Sequence, residues 1–154
     1  MQPRYVAVVG AGEPTDPALV EQATEAGRLI ASRGWVLVTG GLGGVMAAAA
    51  AGASSVGGTA VGVLPGTDRS AASPEHSVVI PTGMGEMRNA LIVRSVDAVL
   101  AIGGSWGTLS EIAFAARTGV PVFAVASWDL PGPEVVACDG IEDAIDRIAS
   151  VVRR

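Results

Sequence analysis

The chain has 154 residues, 49% of them hydrophobic and 16% charged, with a formal net charge of −5. That is one domain's worth of sequence, apolar enough to bury a core and too apolar for disorder. All ten cationic residues are arginine, which excludes Schiff-base, pyridoxal phosphate and lysine-dependent phosphate-loop chemistry. Cys138 is the single cysteine and His76 the single histidine, so neither an internal disulfide nor a multi-ligand zinc site can be built.

Short β-branched runs alternate with longer Ala-rich segments. Residues 5–9 read as a buried strand ending at Gly10-Ala11-Gly12. Asp16-Pro17 is an N-cap followed by proline at the first helical position. Leu19, Ala23, Ala26 and Ile30 follow at helical spacing, with Gly34 as the stop. A second strand, 35–39, closes on Gly40-Gly41-Leu42-Gly43-Gly44, and 45–53 is a helix of small residues. A third strand covers 59–64. Residues 66–76 have turn composition and read as a mobile loop. A short strand at 77–80, a helix at 84–95 and a strand at 97–102 come next. Gly103-Gly104-Ser105-Trp106-Gly107 then leads into a helix at 108–117, and 120–125 is a further strand. Asp139 with Glu142 forms a capping box for a last helix carrying Ile141, Ala144, Ile145, Ile148 and Val152 on one face.

Uninterrupted apolar strands in strict alternation with helices imply a parallel sheet covered on both faces. The expected fold is α/β: a Rossmann-like, doubly wound parallel sheet sandwiched by helices, a single domain over residues 1–154. Ligands of such sheets bind beyond the carboxyl ends of the strands, where the glycine clusters 10–12, 40–44 and 103–107 fall.

Two familiar motifs fail on inspection. Gly10-Ala11-Gly12 is followed by Pro14-Thr15, so a dinucleotide fingerprint lacks its third glycine, and no carboxylate follows the second strand. Gly103 to Gly107 matches GxSxG, but the chain's one histidine precedes Ser105, and no base is available to activate it. What remains is a turn whose N–H groups, from Gly104 to Thr108, can receive an anion at a helix N-terminus. Glu111, one turn further on, is either a dipole-favoured carboxylate or a general base beside that anion. Arg88, near the start of its own helix, is either solvated or the partner of a ligand or carboxylate. Arg94 points elsewhere, and Glu86 is a secondary candidate. Trp35, Trp106 and Trp128 are core candidates, Trp106 being the one placed to touch ligand or a neighbouring subunit. An acidic, lysine-free chain speaks against a nucleic-acid partner, and no apolar stretch suits a bilayer. The expected location is the cytoplasm.

Met87-Arg88-Asn89, Val96-Asp97-Ala98 and the run from Gly103 to Glu111 together resemble the Lonely Guy (LOG) family, with its Met-x-x-Arg-Lys segment and Pro-Gly-Gly-x-Gly-Thr-x-x-Glu loop. The resemblance covers about residues 4–125. It implies a Rossmann-like protein, a homodimer or homotetramer, that hydrolyses the N-glycosidic bond of a nucleoside 5′-monophosphate. Its catalytic pair would be Arg88 and Glu111. The substrate and its phosphate would be held by Gly10 and Gly12, by Gly40, Gly41 and Gly43, by Met84, and by Gly103, Gly104, Ser105, Gly107 and Thr108. No metal and no resident cofactor are implied. Gly103 stands where the family has proline, Ser105 where it has glycine and Asn89 where it has lysine. These departures look like a compact sister group that includes molybdenum cofactor carriers, so the alternative is a non-enzymatic carrier of a phosphorylated pterin or a nucleotide.

Overall fold

The structure, a computed structural model, describes residues 2–13 and 16–152. Pro14 and Thr15, where the dinucleotide fingerprint breaks off, lie outside them. The elements run β1 (Tyr5–Gly10), α1 (Pro17–Ser32), β2 (Val36–Thr39), α2 (Gly44–Ser55), β3 (Ala60–Leu64), β4 (Val78–Pro81), α3 (Arg88–Arg94), β5 (Ala98–Ile102), α4 (Trp106–Thr118), β6 (Val122–Val125), β7 (Val135–Ala137) and α5 (Ile141–Val152). All seven strands are parallel, in the order β4-β3-β2-β1-β5-β6-β7.

Side-chain alternation along the strands divides the core in two. Val6 and Val8 of β1 face one layer with α1, α2 and α5, while Ala7 and Val9 face the other with α3 and α4. The chain leaves β1 over the first face and β5 over the second. These two strands are neighbours, paired from Val6↔Ala98 to Gly10↔Ile102. Their carboxyl ends form the topological switch point, where the departing helices diverge and open a crevice.

The local signals behave as physics requires. Asp16 Oδ1 accepts the Ala18 N–H at 2.9 Å, with Pro17 opening α1. Gly119, at φ +80°, ends α4 in the left-handed conformation. The first two helices cross at almost no separation, because a Cβ on Gly27 would land on the Ala49 carbonyl and one on Gly52 on the Thr24 carbonyl.

Several details differ from the sequence reading. β7 was not anticipated, since Val135–Ala137 is only three residues long and follows Pro131-Gly132-Pro133. The helix expected from 84 opens instead as a 3-10 turn, Gly85–Met87, and becomes α-helical at Arg88. At α5 it is Asp143, not Glu142, whose carboxylate accepts the Asp139 N–H, at 3.0 Å. The 66–76 segment is tied down: Asp68 caps a 3-10 turn, and the Ser73 N–H donates to the Gly41 carbonyl at 2.9 Å. Trp106 is 78% exposed, outside the core, whereas Trp35 and Trp128 are half-buried. No helix among the described residues is long and apolar enough to cross a membrane.

Candidate functional site

A cavity of about 240 Å³ opens at the switch point, floored by Val8, Val9 and Gly10 at the end of β1. Two chemistry-bearing side chains enter it from successive helices, Arg88 from α3 and Glu111 from α4.

Arg88 is held by a short segment that wraps the end of β3. The Thr82 hydroxyl donates to the Leu64 carbonyl at 2.7 Å, and the N–H groups of Gly83 and Gly85 donate to the Gly66 and Pro65 carbonyls, each at 2.9 Å. Gly83 and Gly85 stand at φ +66° and +61°, conformations that favour glycine. This bracing delivers Arg88 to the sheet's edge, where it is 9% exposed. Its Nε donates to the Val63 carbonyl at 3.0 Å, its Nη2 to the Gly40 carbonyl at 3.4 Å, and its Nη1 to Asn89 Oδ1. All three acceptors are neutral. Burial lowers its pKa, opposed by the carboxylates of Glu111 and Glu86, yet a guanidinium keeps its proton in proteins.

Glu111 is also 9% exposed, and its pKa is pushed up to about 7 by burial, with Arg88 pulling the other way. No hydrogen bond or ion pair to Glu111 occurs among the described residues. It is a carboxyl group poised between its two forms near neutrality.

The turn into α4 supplies donors. Ser105 Oγ accepts the Thr108 N–H at 3.1 Å and lies 2.9 Å from Thr108 Oγ1. Among the described residues, no acceptor meets the N–H groups of Gly104, Ser105, Trp106 or Gly107. They are the unpaired donors of a helix start, with the positive end of its dipole behind them. Trp128 Nε1 donates to the Ser105 carbonyl at 3.2 Å, and its ring lies 5.3 Å from that of Trp106.

Of the residues singled out from sequence, Arg88, Glu111, Gly10, Gly12, Gly40, Ser105, Gly107 and Thr108 meet at this cavity. The rest do not. Gly41 packs under Leu64, and Gly43 faces a separate groove between α1 and α2. Met84 is exposed outside the cavity. Gly103, at φ +69°, turns the chain beneath Leu19, and Gly104 makes room for the Trp128 indole. Glu86 does reach the lining. Asn89, Leu42 and Met46 line it as well, and were not singled out for it. For Asn89 the signal was its place directly after Arg88; Leu42 and Met46 carry none beyond the glycines around them.

Residues 3–146 match the sequence model of the SLOG cluster4 family. The cytokinin riboside 5′-monophosphate phosphoribohydrolase of Mycobacterium tuberculosis is 40% identical over 111 residues, 70% of this chain. That stretch spans 59% of the relative's own length. The molybdenum cofactor binding protein of Rippkaea orientalis superposes with a TM-score of 0.94 at 35% identity, over 99% of each chain. The molybdenum cofactor carrier protein of Chlamydomonas reinhardtii gives 0.90 at 29%, over 99% of this chain and 100% of its own.

Proposed function

Because the chain belongs to the SLOG cluster4 family, we propose that its cavity takes a small phosphorylated ligand and that Arg88 and Glu111 hydrolyse the N-glycosidic bond of a nucleoside 5′-monophosphate. The observation that carries this reading is the buried carboxyl of Glu111, without a partner among the described residues, facing the same cavity as an arginine that makes no ion pair among them.

The phosphate rests on the free N–H groups of Ser105 and Gly107, where oriented amides and the α4 dipole replace the lysine the chain lacks. Gly40 leaves room on the wall beside the sugar, since a Cβ there would strike Arg88 and Met46, both of which line the cavity. As the bond from C1′ to the base nitrogen breaks, positive charge gathers on the ribose. The Glu111 carboxylate stabilises that charge and removes a proton from the water whose oxygen adds to C1′. The base leaves with the bonding pair and takes up a proton, giving free base and ribose 5-phosphate. Arg88 orients the substrate and favours the ionised form of Glu111 when it is needed. The test is incubation with AMP and chromatographic detection of adenine: release by wild type and its loss in Glu111→Gln support the reading, and equal release by both sinks it.

A second reading is favoured by a different observation. Two proteins that superpose over 99% of the chain are a molybdenum cofactor binding protein and a molybdenum cofactor carrier protein, whereas the phosphoribohydrolase match covers part of its relative. A carrier uses the same amides to hold its cargo's phosphate and cleaves nothing. It predicts a stoichiometric ligand, identified by mass spectrometry of what the purified protein releases, and no adenine from AMP. In either case the working form is a homodimer or homotetramer, consistent with Met87, Leu91 and Trp106 standing exposed on the helices that carry the site.

A further inference from the structure

We infer that His76, acting through Thr39, is a positioning residue that fixes the Gly40-Gly41 turn against the Arg88 guanidinium. The inference rests on the reading above in assigning Arg88 to the ligand.

His76 is buried at 7% exposure, at the end of the segment that follows β3, and faces the end of β2. Its Nε2 lies 2.6 Å from Thr39 Oγ1, and its Nδ1 lies 3.1 Å from Ser73 Oγ and 3.2 Å from the Ser73 carbonyl. The carbonyl only accepts, so a proton on Nδ1 satisfies it and leaves Nε2 to accept from the Thr39 hydroxyl; this is the tautomer the relay uses. Burial lowers the imidazole pKa and keeps this neutral form.

The same hydroxyl oxygen accepts the Gly41 N–H at 2.9 Å, while the Gly41 carbonyl accepts the Ser73 N–H at 2.9 Å. One residue of the turn is therefore clamped on both of its polar groups, its carbonyl by the segment that holds His76 and its N–H by the Thr39 hydroxyl that His76 contacts. The ring also lies flush against β3, since a Cβ on Gly62 would come within 3.0 Å of His76 Cδ2 and 2.9 Å of Gly41 Cα. Gly41 needs this support, being held at φ +81°. The carbonyl directly before it, that of Gly40, receives Arg88 Nη2. A relay thus runs from Ser73 through His76, Thr39 and Gly41 to the guanidinium.

The test uses the whole protein without ligand and with AMP as probe. In the ligand-free state, the Arg88 Nε–H and Gly41 amide resonances are compared in wild type, Thr39→Val, Thr39→Ser and His76→Phe. Both resonances are expected to shift in Thr39→Val and His76→Phe and to return toward wild type in Thr39→Ser, which restores the hydroxyl. AMP affinity is expected to fall at least tenfold in the first two and to stay within about twofold in Thr39→Ser. A long-range nitrogen–proton spectrum of wild type, which needs no variant, is expected to show the Nδ1–H tautomer. The Nε2–H tautomer, or folded Thr39→Val and His76→Phe proteins with unmoved Arg88 signals, overturns the inference. If wild type fails to bind AMP while the Arg88 resonance still follows Thr39 and His76, the functional reading falls and the positioning role stands.

Discussion

Arg88 and Glu111 line one cavity from successive helices, yet no nitrogen–oxygen approach within 4.0 Å joins them. Among the described residues the guanidinium is bound instead by neutral acceptors, and the carboxyl by none. A closed ion pair would silence both groups; an open one leaves each available to a third participant.

Replacing Glu111 by Gln removes the ionisable group while keeping its shape. AMP cleavage is expected to fall by about 10²–10⁴, the usual worth of a positioned acid or base, with AMP binding within a fewfold of wild type. Adenine release followed by chromatography, with calorimetry for binding, checks both halves. Loss of binding in parallel with cleavage counts against a role in the chemical step.

The same carboxyl ties stability to pH. Its pKa rises from 4.5 to about 7 on folding, so the folded state holds the proton more tightly. The contribution of Glu111 to stability is fully present below pH 4.5, declines as pH rises from 4.5 to 7, and is level above that. At about 1.4 kcal/mol per pH unit, the difference is on the order of 3 kcal/mol. Thermal unfolding of wild type and Glu111→Gln at pH 5 and pH 7.5 is expected to show the variant gaining relative stability at the higher pH. Parallel curves contradict the burial of an unpaired carboxyl.

Gly40→Ala puts a methyl 2.7 Å from both Arg88 Nη2 and Met46 Sδ. Met46 can swing aside, but Arg88 is tied at three points. The expected cost is about 1–3 kcal/mol in stability, the range for overpacking, together with at least a tenfold loss of AMP affinity. Gly66→Ala, with open space around its Cβ position, is the matched control and is expected to bind AMP like wild type.

Met87, at the end of the 3-10 turn that leads into α3, is 73% exposed, and Leu91, one turn further on in α3, is 43% exposed. If that face is shared between copies, the double substitution Met87→Glu and Leu91→Glu brings the protein to the monomer in light scattering, with its circular dichroism unchanged. A wild-type monomer, or a variant that stays assembled, refutes the shared face.

Much of this architecture was legible before any coordinates. Periodicity marked β1 to β6 and all five helices, because each is long enough to show an unbroken apolar run or a repeated face. β7 escaped because three residues after a Pro-Gly-Pro turn carry no period. In the site, Arg88 was legible as a charge set against its helix dipole, and Glu111 as a carboxylate one turn past a loop built to receive an anion. The glycines were not separable. Gly40 and Gly10 serve close packing, against Arg88 and against Val45, Gly41 and Gly103 a left-handed backbone, and Gly104 the indole beside it. Composition gives these three uses one letter. Trp106 was misplaced for the opposite reason: hydrophobicity argues for burial, while the first position of a helix that begins at the surface argues against it.

The crossing of α1 and α2 has a consequence of its own. At Gly27 and Gly52 each helix takes the other's main-chain oxygen where a side chain would begin, so the two cannot slide past one another or be wedged apart without losing contact along their length. Both start from glycine-bearing turns beside the crevice. Any adjustment the protein makes to an arriving molecule is therefore left to the opposite layer, where α3 and α4 meet through ordinary side chains that can repack.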